Sequence, residues 1–367
     1  MAQPHVPSTD SGFEQAAASR TALDVALVIP LHGPAGMFGP SAELCSQLAV
    51  EELNERHGVL GRELRLTVVD GSAAPQQVAD AVEALVRRDR VQAVAGWHLS
   101  AVRQALAPRI ACRVPYVYSA LYEGGERTPG VFLTGETPRL QLRPAIRWLV
   151  QTLGARRWTV VGDDYVWPRT SAARARRYLD ECGAALLEEV YVPLGTADFD
   201  GALRRVERSD SDAVLMLLVG DDAVRFNRQF SERGLHAQCL RLSPLMTEDM
   251  LLASGADNTQ HLYSAAGYFE SLVTASSMDF GSRFSHRFGT EAPALNSLGE
   301  SCYEALHLLA ELVSRAGTTD VGTICSVADS VGYEAARGPL TLRHNHLQQP
   351  VYLAQADGLE FDVLTVL

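Results

Sequence analysis

The sequence predicts an α/β protein of two doubly wound lobes, each a parallel sheet with helices on both faces. Three observations lead there. From Leu23 onward, short apolar runs of strand length alternate with amphipathic helical stretches. The chain has 367 residues, too many for one ordinary domain and suited to two of about 150 residues each. One open sheet holding every strand would be unusually wide, whereas two similar lobes keep each sheet within the common range.

The elements follow in order. DVALVI (24–29) is an apolar run stopped by Pro30 and reads as a buried parallel strand. HGPAGMFGP (32–40) is a Gly/Pro loop, after which Ser41 is placed to cap a helix. Leu44, Cys45, Leu48, Ala49 and Leu53 share one face of that helix, and Gly58 stops it. LRLTVVD (64–70), VQAVAGW (91–97) and VPYVYS (114–119) are the next strands, separated by helices on Val78, Val82, Leu85 and Val86 and on Val102, Ala105, Leu106 and Ile110. The pattern then repeats with helix 138–153, strand 158–163, helix 171–182, strand 186–193, helix 199–207, strand 213–219 and helix 222–233. Right-handed crossovers connect such units. Two long helices, about 276–288 and 296–316, precede short strands at 338–343, 350–356 and 359–366.

Composition narrows function. Apolar residues make up 47% and charged residues 21%, a core-forming balance. All 32 basic residues are arginine, which excludes a Walker-A lysine, a Schiff-base lysine and a Ser-x-x-Lys pair. The net charge of −12 offers no bulk attraction to nucleic acid or to an anionic membrane. No stretch reaches the ~18 uninterrupted apolar residues of a membrane span. Six cysteines (Cys45, Cys112, Cys182, Cys239, Cys302, Cys325) stand far apart with no C-x-x-C, and read as reduced thiols rather than a disulfide framework or a zinc site. Residues 1–21 are small and polar, with neither a basic n-region nor an apolar run, so a mobile tail and a cytoplasmic protein are expected.

In doubly wound sheets, ligands meet the loops at the carboxyl ends of strands. Gly33, Gly36 and Gly39 have G-x-x-G-x-x-G spacing, which reads as a tight turn and not as a dinucleotide fingerprint. Trp97, His98 and Ser100 follow one strand, with Ser100 placed to cap the next helix. Tyr118, Ser119, Ala120, Leu121 and Tyr122 follow the next. Tyr165 and Trp167 follow Asp163–Asp164, and Gly220, Asp221 and Asp222 follow 213–219, with Tyr268 later. In each acidic pair one residue is expected to cap a helix and the other to be solvated. Aromatic residues recurring in these loops point to a small aromatic-lined pocket between the lobes. Catalytic apparatus is missing: there is no G-x-S-x-G and no H-E-x-x-H, and His344-Asn345-His346 reads as an exposed turn. No cofactor or metal is expected.

At these loops the sequence resembles the type I periplasmic-binding-protein superfamily, and within it the amide- and urea-binding branch that includes the cytoplasmic sensor of amidase operons. AVEELNERHGVLGRELRL (49–66), AGWHLSAVRQAL (95–106), YSALYEGGERTPGVF (118–132), VGDDYVWPRTS (161–171), LVGDDAVRFNRQF (218–230), AGYFESL (266–272) and AARGPLTLRHNH (335–346) carry the likeness, in order, over about residues 23–367. The resemblance implies a Venus-flytrap protein without catalysis. Its lobes, 22–137 plus 267–335 and 138–266 plus 336–367, would be joined by three crossovers.

The same resemblance implies site roles. His98 stands at the family's aromatic position, and Ser100 would offer its hydroxyl and N–H to a ligand oxygen. Tyr118 would form a wall, and Ala120 and Leu121 the floor. Tyr165 and Trp167 would close from the second lobe, near Gly220 and Tyr268. The sequence departs from the branch at His98, which replaces Tyr or Trp, at Trp97, which replaces a small residue, at Ala120, which replaces a hydroxyl, and at Ser119, which replaces a proline. Such changes alter ligand choice.

Three functions remain open. One is a cytoplasmic sensor of a neutral amide or urea-like ligand that regulates amidase- or nitrile-type operons through an RNA-binding antiterminator, as a homo-oligomer or hetero-complex. Another is the solute-binding component of a transporter for urea, amides or branched-chain amino acids. The last is an enzyme working through the acidic pairs, which no activated nucleophile supports. An amino-acid ligand would need an anionic partner such as Asp221, Asp222 or Glu123 for its ammonium.

Overall fold

The computed structural model describes residues 22–367, so the tail expected over 1–21 lies outside the described residues. The first sheet begins with β1 (Ala22–Ile29), followed by α1 (Gly39–Glu55), β2 (Glu63–Asp70), α2 (Pro75–Arg87), β3 (Ala93–Gly96), α3 (Ser100–Ile110), β4 (Tyr116–Tyr118) and β5 (Val131–Leu133). The chain then passes to a second sheet through α4 (Leu142–Leu153), β6 (Arg157–Asp163), α5 (Val166–Glu181), β7 (Ala185–Val192), α6 (Asp200–Ser209), β8 (Ala213–Leu217), α7 (Asp221–Glu232), β9 (Leu240–Ser243), α8 (Glu248–Ser254) and β10 (Leu262–Ala266). It returns through α9 (Ala275–Phe288), α10 (Ser297–Ala316), α11 (Val321–Val327), β11 (Gly332–Ala335), β12 (Gly338–Arg343) and β13 (His346–Gln348). It ends in the second sheet with β14 (Tyr352–Asp357) and β15 (Glu360–Val366).

The first sheet has the order β11-β12-β13-β5-β4-β3-β1-β2 and the second β15-β14-β10-β9-β8-β6-β7. β1 lies between β2 and β3, parallel to both, and is buried along its length except at Asp24. Its unbroken apolar run is what a strand covered on both faces requires. β2 closes the edge and exposes much of its length.

The sheets are mixed, not wholly parallel. β11, β12 and β13 form antiparallel pairs, as do β10, β14 and β15. This moves the third crossing. β12 and β13 were expected in the second lobe, but β12 pairs with β11 and buries Gly338, Leu340 and Leu342 in the first, so the chain crosses between Gln348 and Tyr352. α1 also differs from expectation: it begins at Gly39 with Pro40 in its first turn, and Ser41 makes no cap. The Ser41 hydroxyl instead lies where a Cβ on Gly299 of α10 would fall, a mark of how closely the two helices pack.

A buried polar cluster ties the three crossings together. Glu136, on the first, accepts the N–H of Gly267, on the second, at 2.6 Å and faces Arg337 Nη1 at 3.3 Å. Gln349, on the third, accepts from Arg337 and donates to the Thr134 carbonyl at 2.8 Å. Arg337 also binds Glu300 at 2.5 Å and the Ser301 hydroxyl at 2.6 Å. Position 267 is glycine because a Cβ there would stand 2.5 Å from Glu136 Oε1 and 2.8 Å from Arg337 Nη1.

Candidate ligand-binding cleft

Strand carboxyl ends from both sheets converge on one narrow cavity between the lobes. Trp97, His98, Leu99 and Ser100 reach it after β3, Tyr118 from the end of β4 and Ala120 and Leu121 after it, with Leu298 added by α10. The second lobe supplies Tyr165 and Trp167 after β6, Val219 after β8 and Leu245 after β9. The lobes are closed over a space of about 20 Å³, enough for the centre of one water-sized sphere. The rings of Tyr165 and Trp167 lie 6.2 Å apart on the second-lobe side.

Polar groups in this wall are few and neutral. Burial pushes the His98 imidazole down to about 3, so it is uncharged at neutral pH. Its Nδ1 lies 3.3 Å from the Leu99 carbonyl, which can only accept, and its Nε2 therefore accepts from the Tyr116 hydroxyl at 2.7 Å. Tyr118 donates to the His98 carbonyl at 2.7 Å, and the Ser100 hydroxyl lies within reach of the same phenol. Trp97 Nε1 is buried and has no partner among the described residues.

Ser100 is the first residue of α3 and not its cap. Leu99 occupies the cap position with no side-chain hydrogen bond, so the first N–H groups of α3 stay open to a ligand oxygen. α5 likewise begins behind Tyr165 without a side-chain cap.

Neither acidic pair caps a helix. Asp164 is exposed and binds Arg169 at 2.6 Å. Asp163 is buried at the end of β6 and accepts the Val219 N–H at 2.8 Å. Asp222 lies in the first turn of α7, accepts the Gly195 N–H at 2.6 Å and faces Arg225 at 3.2 Å. Burial first, and then the neighbouring Asp222 carboxylate, hold Asp163 well above the usual carboxylate range.

The native state therefore holds this proton more tightly than the unfolded chain. The contribution is fully present below the unfolded value of about 4 and is lost as pH rises towards the native value. Asp163→Asn keeps an acceptor for Val219 and cannot ionise. Its stability relative to the parent is expected to rise between pH 5 and pH 8, by about 1.4 kcal/mol per pH unit over which the parent group stays protonated only when folded. Urea unfolding across that window checks this, and parallel pH profiles for the two proteins would refute it.

The profile of the family described as periplasmic binding protein matches residues 22–360. The chain belongs to this family. Its members bind a substrate and do not transform it. A Leu/Ile/Val-binding protein homolog 6 of Brucella suis is 22% identical over 349 residues, 92% of this chain and 88% of the relative. Among solved structures, a solute-binding protein of an ABC transporter from Rhodopseudomonas palustris, in complex with 3,4-dihydroxybenzoic acid, has a TM-score of 0.84 at 21% identity, covering 95% of this chain and 98% of the other. The branched-chain amino acid transporter substrate-binding protein LivJ from Streptococcus pneumoniae, in complex with isoleucine, has a TM-score of 0.83 at 17% identity, covering 94% and 99%. These likenesses show the two-lobed α/β fold.

Within this periplasmic-binding-protein chain, eight of the expected site residues reach the cavity: Trp97, His98, Ser100, Tyr118, Ala120, Leu121, Tyr165 and Trp167. Five do not line it. Ser119 turns its hydroxyl to Cys302 Sγ at 3.7 Å. Tyr122 bonds His346 and lies under the Arg103 guanidinium, 4.6 Å from the ring centre. Tyr268 packs on Phe280 at 5.9 Å. Gly220 and Asp221 form a contact between lobes, the Asp221 N–H donating to the Pro34 carbonyl at 3.0 Å.

Leu99, Val219, Leu245 and Leu298 line the cavity without having been singled out from the sequence. Val219 and Leu99 stand in strand-end loops, where a rule including aliphatic residues would have found them. Nothing local marks Leu245 or Leu298.

Proposed function

We propose that the chain is a solute-binding protein of the transporter type that closes its lobes over one small ligand of the amide or urea class. The observation that carries the ligand class is the charge of the cleft. Its lining holds no carboxylate and no guanidinium, and its single titratable base, His98, is held neutral. The acids that a ligand ammonium would need are engaged elsewhere: Glu123 with Arg103 at 2.7 Å, Asp222 with Gly195 and Arg225, and Asp221 beside Arg225 at 3.6 Å. Desolvating an ammonium here without a partner is costly, whereas an amide oxygen finds the open N–H groups of α3, the Ser100 hydroxyl and Trp97 Nε1. The solute-binding relatives support the transporter-type role.

A thermal-shift panel of acetamide, butyramide, urea, benzoate and leucine tests the reading. A member of the amide or urea class at about 100-fold its Kd is expected to add about 2.7 kcal/mol, and leucine nothing. Stabilisation by leucine alone, or by benzoate alone, overturns the ligand class.

A second reading is a cytoplasmic amide sensor that acts through an RNA-binding antiterminator. It is favoured by the six cysteines, all of them free, with Cys112 exposed. Fractionation of the native protein separates the two: recovery with the cytoplasm supports the sensor, and recovery outside the membrane supports the transporter component.

A further inference from the structure

We propose that the chain carries a second site, separate from the ligand cavity: an arginine-lined groove that binds a small multivalent oxyanion, a phosphate ester or a polycarboxylate, across the junction of the lobes. The groove measures about 990 Å³ and is lined by Arg127, Arg139, Arg174 and Arg343, beside the Gly124-Gly125 turn and the turn at His344. Arg127 and Arg343 belong to the first lobe, Arg139 to the first crossing and Arg174 to α5 of the second lobe.

Several arginines elsewhere in the chain are held by carboxylates, while others, such as Arg87 and Arg147, stand singly among the described residues; here four gather on one groove. Arg157 sits on Asp210 and Asp212, Arg233 on Asp200 and Glu207, and Arg287 on Glu51. Among the described residues, none of the four groove arginines is ion-paired, although the chain as a whole carries a net charge of −12. Arg343 reaches only a backbone carbonyl, that of Asp329, at 3.4 Å. Arg174 lies against the Gly124 turn of the opposite lobe, and its Nε is buried with no partner among the described residues.

One acid, Glu126, lines the groove and another, Asp329, stands at its rim, and both are already engaged. Glu126 is engaged by Arg103 at 3.2 Å, by the N–H groups of Arg127 and Thr128 and by the Thr128 hydroxyl. Asp329, at the rim, accepts the His344 N–H at 2.7 Å and lies 3.8 Å from the His344 ring.

Four guanidinium groups around one groove repel one another unless an anion joins them. Their planar forks match phosphate and carboxylate oxygens. A monovalent anion engages one or two of them, which selects for a multivalent ligand. The overall acidity of the chain disfavours an extended polyanion such as nucleic acid. Because the groove draws arginines from both lobes, a bound anion holds the closed arrangement and couples to the cavity ligand. Arg103, over the rings of both Tyr118 and Tyr122, and Tyr122, bonded to His346, connect the two sites.

Isothermal titration of the full chain with pyrophosphate and with citrate, at constant ionic strength, tests this and separates the two ligand sources. Saturable binding of one or both is expected. It should weaken about tenfold in Arg174→Gln and about a hundredfold in Arg174→Gln/Arg343→Gln, with unchanged circular dichroism. Arg127→Gln/Arg343→Gln provides a second variant confined to exposed side chains. No saturable binding of either anion, or binding undiminished in all these variants, overturns the proposal. Neither result bears on the identity of the cavity ligand.

Discussion

Arg337→Ala is expected to destabilise the protein by about 3–5 kcal/mol, the cost of removing one partner from a buried ion pair. The Arg337 side chain is wholly buried between Glu300 and Glu136 and contacts Gln349 and Ser301. Without it, the carboxylates lose their cation in a dry interior, and the first and third crossings lose the donor they share, leaving Gly267 of the second tied only to Glu136. Burial already holds Glu300 and Glu304 above the usual carboxylate range, against the pull of Arg337. The variant raises them further, so protonation relieves part of the cost. That relief is full below the unfolded carboxylate value and fades as pH rises, so the loss should be larger at pH 8 than at pH 5. Urea unfolding at both pH values measures it. A loss under about 1 kcal/mol at both would show that the cluster does not hold the crossings. Arg337→Met combined with Glu136→Gln, Glu300→Gln and Glu304→Gln should recover much of the stability, since a fully uncharged replacement leaves no orphaned ion.

Gly220→Val is expected to give a folded protein that cannot close. Gly220 has φ +50° and ψ −118° and stands where α7 meets the first lobe. A Cβ there would lie 1.9 Å from the Pro34 carbonyl oxygen, which the Asp221 N–H also engages. That oxygen belongs to backbone and cannot swing away as a flexible side chain would. Closure must stop short, and a cavity whose wall comes from both lobes is then incomplete. Ligand affinity should fall by about a hundredfold or more, as when the binding-competent population drops to that extent. The unliganded protein should lose only about 1–3 kcal/mol from backbone strain. Small-angle scattering should show a larger radius of gyration for the variant than for the parent with ligand. Affinity within about threefold of the parent would mean that this contact plays no part in closure.

The alternation of strands and helices was legible because each element buries its own stripe or run, and such patterns are local. Trp97, His98, Ser100, Tyr118, Tyr165 and Trp167 could be grouped from sequence because doubly wound topology brings strand carboxyl ends to one edge. Leu245 escaped because β9 is only four residues long and shows no period of its own. Leu298 escaped because it lies on a helix whose apolar face looks like ordinary core. The capping roles assigned to Ser41, Ser100 and the acidic pairs failed for a common reason. The fold starts each helix elsewhere: α1 begins at Gly39 and α3 behind Leu99, so Ser41 and Ser100 fall inside the first turn, and α5 and α7 begin behind Tyr165 and Gly220, so the acidic pairs miss the cap position.

By itself, then, the sequence determined a two-lobed α/β protein, an aromatic cleft at the strand ends and the absence of lysine chemistry. Only the tertiary structure decided that the third crossing follows β13, that Asp163 meets Asp222, that Arg337 links the crossings, and that four unpaired arginines share one groove. The physical reason is range. Periodicity and turn chemistry act over a few residues, whereas charge pairing, burial and closure depend on groups that lie far apart along the chain and become neighbours only when the lobes fold and meet.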